Sequence, residues 1–411
     1  MRILFVAYYF EPEPNFFMGL PFAKALVERG HEVEVLTGFP NYPGGKVYEG
    51  YRIKALQRET LDGVPIIRVP LYPSHDRSAL RRITSYVSFA LSASTIGVAA
   101  VKQADVAYIC QGPATIGLPG IVLRLLRGVP FVYDVKDFWP DGPMATGMVK
   151  HPFWGWAAGK WCQVIYKFAG KVAVCTPGYK QRLMERGVPE EKLEIIYNWC
   201  DESQIRPAGK DPQLAKALGM AERFNVVFAG SIGKPQAMEA VIDAAGILAS
   251  ECPRVQIVLI GTGIEVDSLK QKTTGMGLKN VLFLERQPVS KIGAILSLAD
   301  VLLVHLMDKP NYRITIPSKT QAYMAVGRPI LMGVLGDAAD LVTKAKAGLS
   351  CEPENPRSIA EAIRKFQAMP QEQLDAMGVN GKRFYGQELS FAIAMEKYER
   401  LFGSVAKSRG K

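Results

Sequence analysis

Residues 226–248 read VVFAGSIGKPQAMEAVIDAAGIL: an apolar run, then Gly230-Ser231-Ile232-Gly233-Lys234, then a helical pattern. A strand that breaks at glycine and re-enters as a helix can cradle a diphosphate. Small residues let backbone amides approach, the helix amino terminus carries partial positive charge, and the lysine adds a full one. The segment has neither the Walker spacing nor the full dinucleotide fingerprint, and an ordinary strand-to-helix turn would read the same way. A second anion-friendly start is RITIPSKTQAYMAVGRPILM, residues 313–332. Pro317 suits a first helical turn, Ser318 and Thr320 can cap it or donate, and Lys319 places charge beside unpaired amides. Gly327-Arg328-Pro329 then ends the helix and feeds a strand.

Two segments of the first half carry chemistry of another kind. In YDVKDFWPDG, residues 133–142, Asp134, Lys136, Asp137 and Asp141 stand beside Trp139 just past a strand. Carboxylates there can bind sugar hydroxyls or accept a proton and an aromatic face can support a sugar ring, although a solvated acidic loop is equally consistent. In residues 8–43 a proline-rich loop ends at Gly19 between the first strand and a helix, where ligands of open α/β sheets bind; a plain βα connection is the other reading. Six cysteines with no Cys-x-x-Cys pair, and four histidines, argue against structural zinc and for a reducing compartment.

The elements that must position these residues are legible in the apolar pattern. Short apolar runs alternate with amphipathic stretches throughout, as in βα units of a parallel sheet covered on both faces, so the fold class is α/β. Strands are expected at Ile3–Tyr8, Glu32–Leu36, Ile66–Val69, Val106–Cys110, Phe131–Asp134, Val172–Cys175 and Leu193–Ile196. The second series is Val226–Ala229, Val255–Ile260, Val281–Leu284, Val301–Val304 and Pro329–Met332, and the chain ends in helix from Pro356 to Leu401. The polar stretch Trp199–Arg223 is the expected linker. Glu11 and Glu13 follow the first apolar run directly, which reads as a strand and not a signal peptide.

With 411 residues, 48% of them hydrophobic, the chain can bury ample core and reads as two domains. Fifty basic against 39 acidic residues give +11, which favours a polyanionic partner without choosing one. From Ile83 to Val101 no residue is charged, with Arg77, Arg81, Arg82 and Lys102 flanking, and Trp154, Trp156 and Trp161 recur in a helix holding Lys160 and Lys167. These helices either rest in a membrane interface or simply cover the sheet.

Taken together the motifs resemble a retaining glycosyltransferase of family 4. The likeness covers nearly the whole chain and is carried by RGHEVEVLTGFPNYPGG, Asp62-Gly63-Val64, DVKDFWPD, Thr176-Pro177-Gly178, YNWCD at 197–201, FAGSIGKPQ and IPSKTQAYMAVGRPI. More narrowly the chain is similar to the bacterial surface-polysaccharide subgroup that includes fucosamine transferases of O-antigen and colanic acid assembly. The resemblance implies the GT-B fold: two facing Rossmann-like domains, a cleft between them, and a C-terminal helix returning to the first. An acceptor domain would span 1–200 plus a helix at about 388–411, and a nucleotide-sugar domain 201–387. The implied reaction moves a sugar from a nucleotide donor, most often UDP-linked, with retention of configuration, no bound metal and no cofactor besides the nucleotide sugar. The acceptor would be a saccharide on undecaprenyl diphosphate, and the enzyme peripheral on the cytoplasmic face of the inner membrane, with no nucleic acid partner.

On this map Gly230, Ser231, Gly233 and Lys234 line the diphosphate, Ser318, Lys319 and Thr320 meet it from the helix end, Gly19 approaches from the first domain, and Asp137 lies near the reacting carbon. The sequence departs from the family in one respect. Ile314 and Ala322 occupy the positions where many members carry two glutamates, and Ser231 and Gln236 those of a clamping arginine and lysine. Lys234, Arg286 or Lys319 would take over the clamp and Gln321 the ribose contact. Two rival readings follow: a non-hydrogen-transferring UDP-sugar epimerase, which shares the two-domain plan, and a non-catalytic nucleotide-sugar-binding protein.

Overall fold

A computed structural model of the chain describes residues 1–14, 17–75, 78–145 and 151–407. Arg77, one of the flanking cations, lies outside the described residues. The chain divides into two compact units, Met1–Ile196 with Met395–Lys411, and Tyr197–Ala394. The division falls at Ile196, ahead of the polar stretch Trp199–Arg223. That stretch belongs to the second unit because Cys200, Ile205, Leu214, Leu218 and Met220 pack into its core.

In the first unit the order is β1 (Arg2–Ala7), α1 (Leu20–Glu28), β2 (Glu32–Gly38), β3 (Gln57–Leu61), β4 (Val64–Val69), α2 (Ala79–Ser92), α3 (Val98–Ala100), β5 (Val106–Cys110), α4 (Gly117–Arg127), β6 (Phe131–Val135), α5 (Asp141–Ala145), α6 (Pro152–Phe168), β7 (Lys171–Val174), α7 (Pro177–Glu185) and β8 (Leu193–Ile195). A π-helical turn, Ala93–Gly97, joins α2 to α3. The sheet order is β3-β4-β2-β1-β5-β6-β7-β8. All pairs are parallel except β3 with β4. Of this hairpin the expected strands include β4, as Ile66–Val69, but not β3. The hairpin turns at Asp62-Gly63, both at positive φ, and its strand β3 alternates half-buried and exposed residues, so it lacks the apolar run that marks buried strands.

The second unit continues with α8 (Pro212–Ala217), β9 (Phe224–Ala229), α9 (Met238–Glu251), β10 (Val255–Ile260), α10 (Val266–Gly275), β11 (Val281–Leu284), α11 (Val289–Ser297), β12 (Val301–His305), α12 (Pro310–Arg313), α13 (Ser318–Val326), β13 (Ile330–Gly333), α14 (Asp337–Ala345), β14 (Gly348–Ser350), α15 (Pro356–Ala368) and α16 (Gln371–Phe384). Its sheet is fully parallel, in the order β11-β10-β9-β12-β13-β14. The terminal helix expected from Pro356 to Leu401 is three helices: Pro370 ends α15, and α16 runs into a π turn that stops at Ser390 before α17 (Phe391–Lys407).

From Met395 onward, α17 is part of the first unit, where Met395, Tyr398 and Phe402 are fully buried. Its anchor is Asp134, at the end of β6 with no solvent exposure. The Asp134 carboxylate accepts from the Tyr398 hydroxyl at 2.7 Å and from the Tyr108 hydroxyl, and the Lys136 ammonium lies 3.3 Å away. Lys136 also donates to the Tyr398 oxygen at 3.1 Å. Removing one member of such a buried ionic group strands the others. Asp134→Ala should lower the unfolding free energy by about 3 kcal/mol or more, read as an earlier urea transition of the first unit.

Candidate functional site

In each sheet the strand order reverses once, at β1/β5 and at β9/β12, and open α/β sheets bind ligands outside the carboxyl ends of strands at such points. In the second unit this places the loop after β9 beside the start of α13, which follows β12. Gly230, directly after β9, has φ of +142°, and a Cβ there would sit 2.7 Å from the Lys319 ammonium nitrogen. Gly261, after β10, has φ of +143°, and its added Cβ would fall 1.9 Å from the Gly230 carbonyl oxygen. Backbone conformation and close approach both require glycine at these two positions. Tyr323 ties helix to strand: its hydroxyl oxygen accepts from the Ala229 amide at 2.9 Å.

Lys319 reaches across the Gly230 backbone with its ammonium 4.7 Å from the centre of the Phe228 ring. Among the described residues it makes no ion pair, and burial lowers its pKa from the ordinary lysine value. α13 begins after Pro317, which is its N-cap, without a side-chain capping bond. Gly230, Ser231, Arg286, Ser318 and Lys319 contribute polar groups to a recess of about 550 Å³, whose lining also includes the apolar Ile205, Val289, Ile292 and Leu296. A recess with both kinds of lining can hold a ligand that joins a compact anion to a flat apolar group.

Four expected residues lie elsewhere. Gly233 and Lys234 line an adjoining recess of about 410 Å³ with Glu239, Asp243, Glu265 and Glu354. The Gly233 amide donates to Gln236 Oε1 at 3.0 Å, and Lys234 is exposed. Thr320 and Gln321 are buried in the body of α13, with 0% and 2% exposure, and line neither recess. Sequence reasoning passed over Thr262 and Gln287, which line the larger recess, although Gly261-Thr262-Gly263 after β10 carries the same strand-then-glycine signal as residue 230.

In the first unit Gly19 is the N-cap of α1, and the next amide, Leu20, donates to Glu11 Oε2 at 2.7 Å. That helix start therefore already has an anion. Asp137 lies just beyond β6, solvent-exposed at its tip, and the protein crowded around it raises its carboxyl above the usual range. At the same sheet end Tyr8 packs edge-to-face against Tyr9 and Tyr86 at 4.6 and 5.3 Å. Gln111, after β5, is 4% exposed and both atoms of its amide lack a hydrogen-bond partner. Trp161 turns inward, its indole donating to the Ala114 carbonyl at 3.0 Å. Among the described residues no three His, Cys, Asp or Glu side chains converge in a metal-binding group, and all six cysteines are buried free thiols.

Paired Rossmann-like units of this topology, with a glycine turn and a helix start meeting at a switch point, are the GT-B architecture. Residues 20–199 match the family model described as "Glycosyl transferase 4-like domain" and residues 223–368 the one described as "Glycosyl transferases group 1". The chain belongs to this glycosyltransferase family. It is 26% identical over 362 residues to the colanic acid biosynthesis glycosyl transferase WcaI of Escherichia coli (strain K12), over 84% of this chain and 86% of that protein. Among solved structures, Anabaena Alr3699/HepE in complex with UDP superposes with a TM-score of 0.71 at 16% identity, over 98% of this chain and 100% of that one. A glycosyltransferase from Rickettsia africae gives 0.69 at 13% identity, over 99% and 98%.

Behind the site, His305 closes β12 at 1% exposure. Its Nδ1 donates to the Gln236 carbonyl at 2.7 Å and its Nε2 accepts from the Glu354 amide at 3.1 Å, so the ring is neutral and fastens the loops that follow β9 and β14. Burial lowers its pKa below the ordinary value. The unfolded chain therefore takes up this proton first. Stability is unaffected above about pH 6.5 and is lost as pH falls from there toward the lower folded value. Urea melts between pH 7.5 and 5 should show the second unit weakening, with a shallower pH slope in His305→Asn.

Proposed function

We propose that the protein is a retaining glycosyltransferase that moves a sugar from a UDP-linked donor to a lipid-linked saccharide, typically on undecaprenyl diphosphate, in bacterial surface-polysaccharide assembly. The observation that carries this reading is Lys319: a half-buried ammonium with no acidic partner among the described residues, held over a glycine turn at a switch point. A diphosphate supplies the missing charge. The comparisons lend support, since WcaI is assigned to colanic acid biosynthesis and HepE binds UDP.

In this scheme the turn at Gly230 and Ser231, with Ser318, Lys319 and Arg286, holds the diphosphate; the Gly230 amide is taken by the Ile260 carbonyl at 2.9 Å, so the Ser231 amide is the donor. The apolar lining from Ile205, Val289 and Ile292 receives the base. Ala322 lines the recess where many relatives have a ribose-gripping glutamate, and Gln321 is buried, so Thr262 and Gln287 inherit the polar contacts to the nucleoside. The reaction breaks the bond between the anomeric carbon and the β-phosphate oxygen, and charge grows on the departing UDP. Preorganised cations and amide dipoles stabilise that charge without a metal ion, an effect commonly worth several kcal/mol. Asp137 and Gly19 belong to the acceptor side, with Asp137 near the reacting carbon. The replaced glutamates favour one second reading, a protein that binds nucleotide sugars without turning them over.

Incubation with a panel of nucleotide sugars and lipid extract should release UDP only when donor and acceptor are both present, and NMR of the product should show the donor's anomeric configuration. An epimerised sugar, or a glycal with free UDP, from donor alone would make it an epimerase; UDP binding with no donor consumed would make it a binding protein. Lys319→Ala should weaken UDP binding by about 1 to 3 kcal/mol through loss of charge-assisted hydrogen bonds, as read by calorimetry. Unchanged affinity would remove Lys319 from the site.

A further inference from the structure

In the first unit α4 packs between α2 and α6. Hydrogen bonds fix the level of each helix against the next. At the start of α4, the Thr115 hydroxyl donates to the Tyr86 carbonyl of α2 at 3.1 Å, and the Trp161 indole of α6 donates to the Ala114 carbonyl at 3.0 Å. At its end, Arg127 donates to the Val98 and Val101 carbonyls, both at 2.8 Å, and Arg124 to the Phe168 carbonyl. The three helices therefore run side by side in one direction, and the first turns of α2 and α6 extend past the start of α4. Leu80 stands six positions ahead of Tyr86 and Phe153 eight ahead of Trp161, which makes overhangs of about 9 and 12 Å. Both lie at the carboxyl end of the sheet, where Asp137 and Gln111 also stand.

The overhangs are apolar on their outer side. Leu80 is 74% exposed and Ile83 43%. Phe153, Trp154 and Trp156 are 54, 64 and 61% exposed and touch one another, with ring centres 5.2 and 5.9 Å apart. Soluble surfaces seldom cluster three open aromatic rings. Residues 79–100, 117–127 and 152–168 contain no Asp or Glu, but hold Arg81, Arg82, Arg124, Arg127, Lys160 and Lys167. Ala79–Ala100 is long and apolar enough to cross a membrane, yet Phe89, Ala90 and Ala93 are buried against the unit, and a Cβ on Gly97 would fall 2.8 Å from Leu36. One face covers the sheet, so the helix is committed to the fold and only its other face is available. Apolar and aromatic side chains on helices that carry cations and no acid of their own match the surface of an anionic bilayer in both polarity and charge.

We infer that the overhanging ends of α2 and α6 are a docking edge for an anionic lipid bilayer, with Leu80, Ile83, Phe153, Trp154 and Trp156 entering the interface and Lys160 meeting headgroup phosphates. This edge presents the end of the sheet that bears Asp137 to the lipid surface. The inference deepens the reading of a lipid-linked acceptor, but the docking is measured without donor or acceptor.

The test is co-sedimentation of the full chain with vesicles of phosphatidylcholine alone or with 30% phosphatidylglycerol (~30%, enough anionic charge to attract basic segments). Binding should require the anionic lipid, fall as salt rises, and shift tryptophan emission to the blue, with quenching by brominated lipid. Trp154→Ser with Trp156→Ser should weaken partitioning about tenfold. Leu125→Ser with Leu126→Ser, at the opposite end of α4, should leave it unchanged, although those leucines are 63 and 77% exposed. No binding to anionic vesicles, or equal loss in both variants, overturns the inference, as does a dimer in light scattering that the tryptophan substitutions dissolve. An unchanged urea transition of the first unit shows that the tryptophan variant is folded, and retained UDP affinity keeps a failure here separate from a failure of the donor site.

Discussion

The close approach of the Lys319 ammonium to the backbone at Gly230 is the constraint on which the second unit's site is built. Glycine at 230 admits the lysine, and glycine at 261 admits the Gly230 carbonyl in turn. Tyr323 holds the end of β9 against α13, so neither backbone can drift from the other. A lysine held this way is desolvated, and its pKa falls because the protein offers no carboxylate in exchange. The arrangement costs stability in the empty protein and repays it when an anion arrives.

Elsewhere the protein treats buried charge differently. Asp134 is compensated by Lys136 and two tyrosine hydroxyls, and in doing so it fixes α17 to the first unit. Arg68, with no exposure, donates to Glu59 at 2.6 Å and to the carbonyls of Gly38 and Glu11. Glu13 accepts from the amides of Asn41 and Tyr42, both at 2.7 Å, and pins the loop after β1 to the loop after β2. Each of these groups has partners within the protein and acts as a fastener, although Asp134 Oδ1 and the Tyr133 and Tyr166 hydroxyls are buried without one. Lys319 and the amide of Gln111 differ by position: both stand at the carboxyl ends of strands beside a switch point. Incomplete pairing at such a point, more than incomplete pairing alone, marks a binding position.

The surface repeats the contrast. Most exposed apolar residues are scattered, as in any protein of this size. On α2 they form a stripe, Leu80, Ile83, Val87 and Leu91, and on α6 they cluster at Phe153, Trp154 and Trp156, with Val164 further on. A sheet-covering helix and a surface-seeking helix are thus one helix seen from two sides, which is why apolar content alone left the two descriptions of residues 83–101 open.

The apolar runs by themselves determined the α/β class and nearly every parallel strand, since a strand buried on both faces must be apolar along its length. They also marked residues 230–231 and 318–319 as candidate anion contacts, because glycine, serine and lysine stand there at the starts of helices, although an ordinary strand-to-helix turn reads the same way. Strand β3 escaped because an edge strand half in water carries no continuous apolar signal, and the breaks in the terminal helices escaped because helical periodicity continues across Pro370 and the π turn. Only the tertiary structure decided which residues share a recess. The chain turns away after Ser231, so Gly233 and Lys234, two and three residues on, line a different hollow, while Arg286 and Ile205, far off in sequence, line the same one. Helical phase likewise turns Thr320 and Gln321 into the core while Ser318 and Lys319 face out. Proximity along the chain fixes which residue types travel together; the direction each side chain points is set by strand order and helix rotation, which no local window of sequence contains.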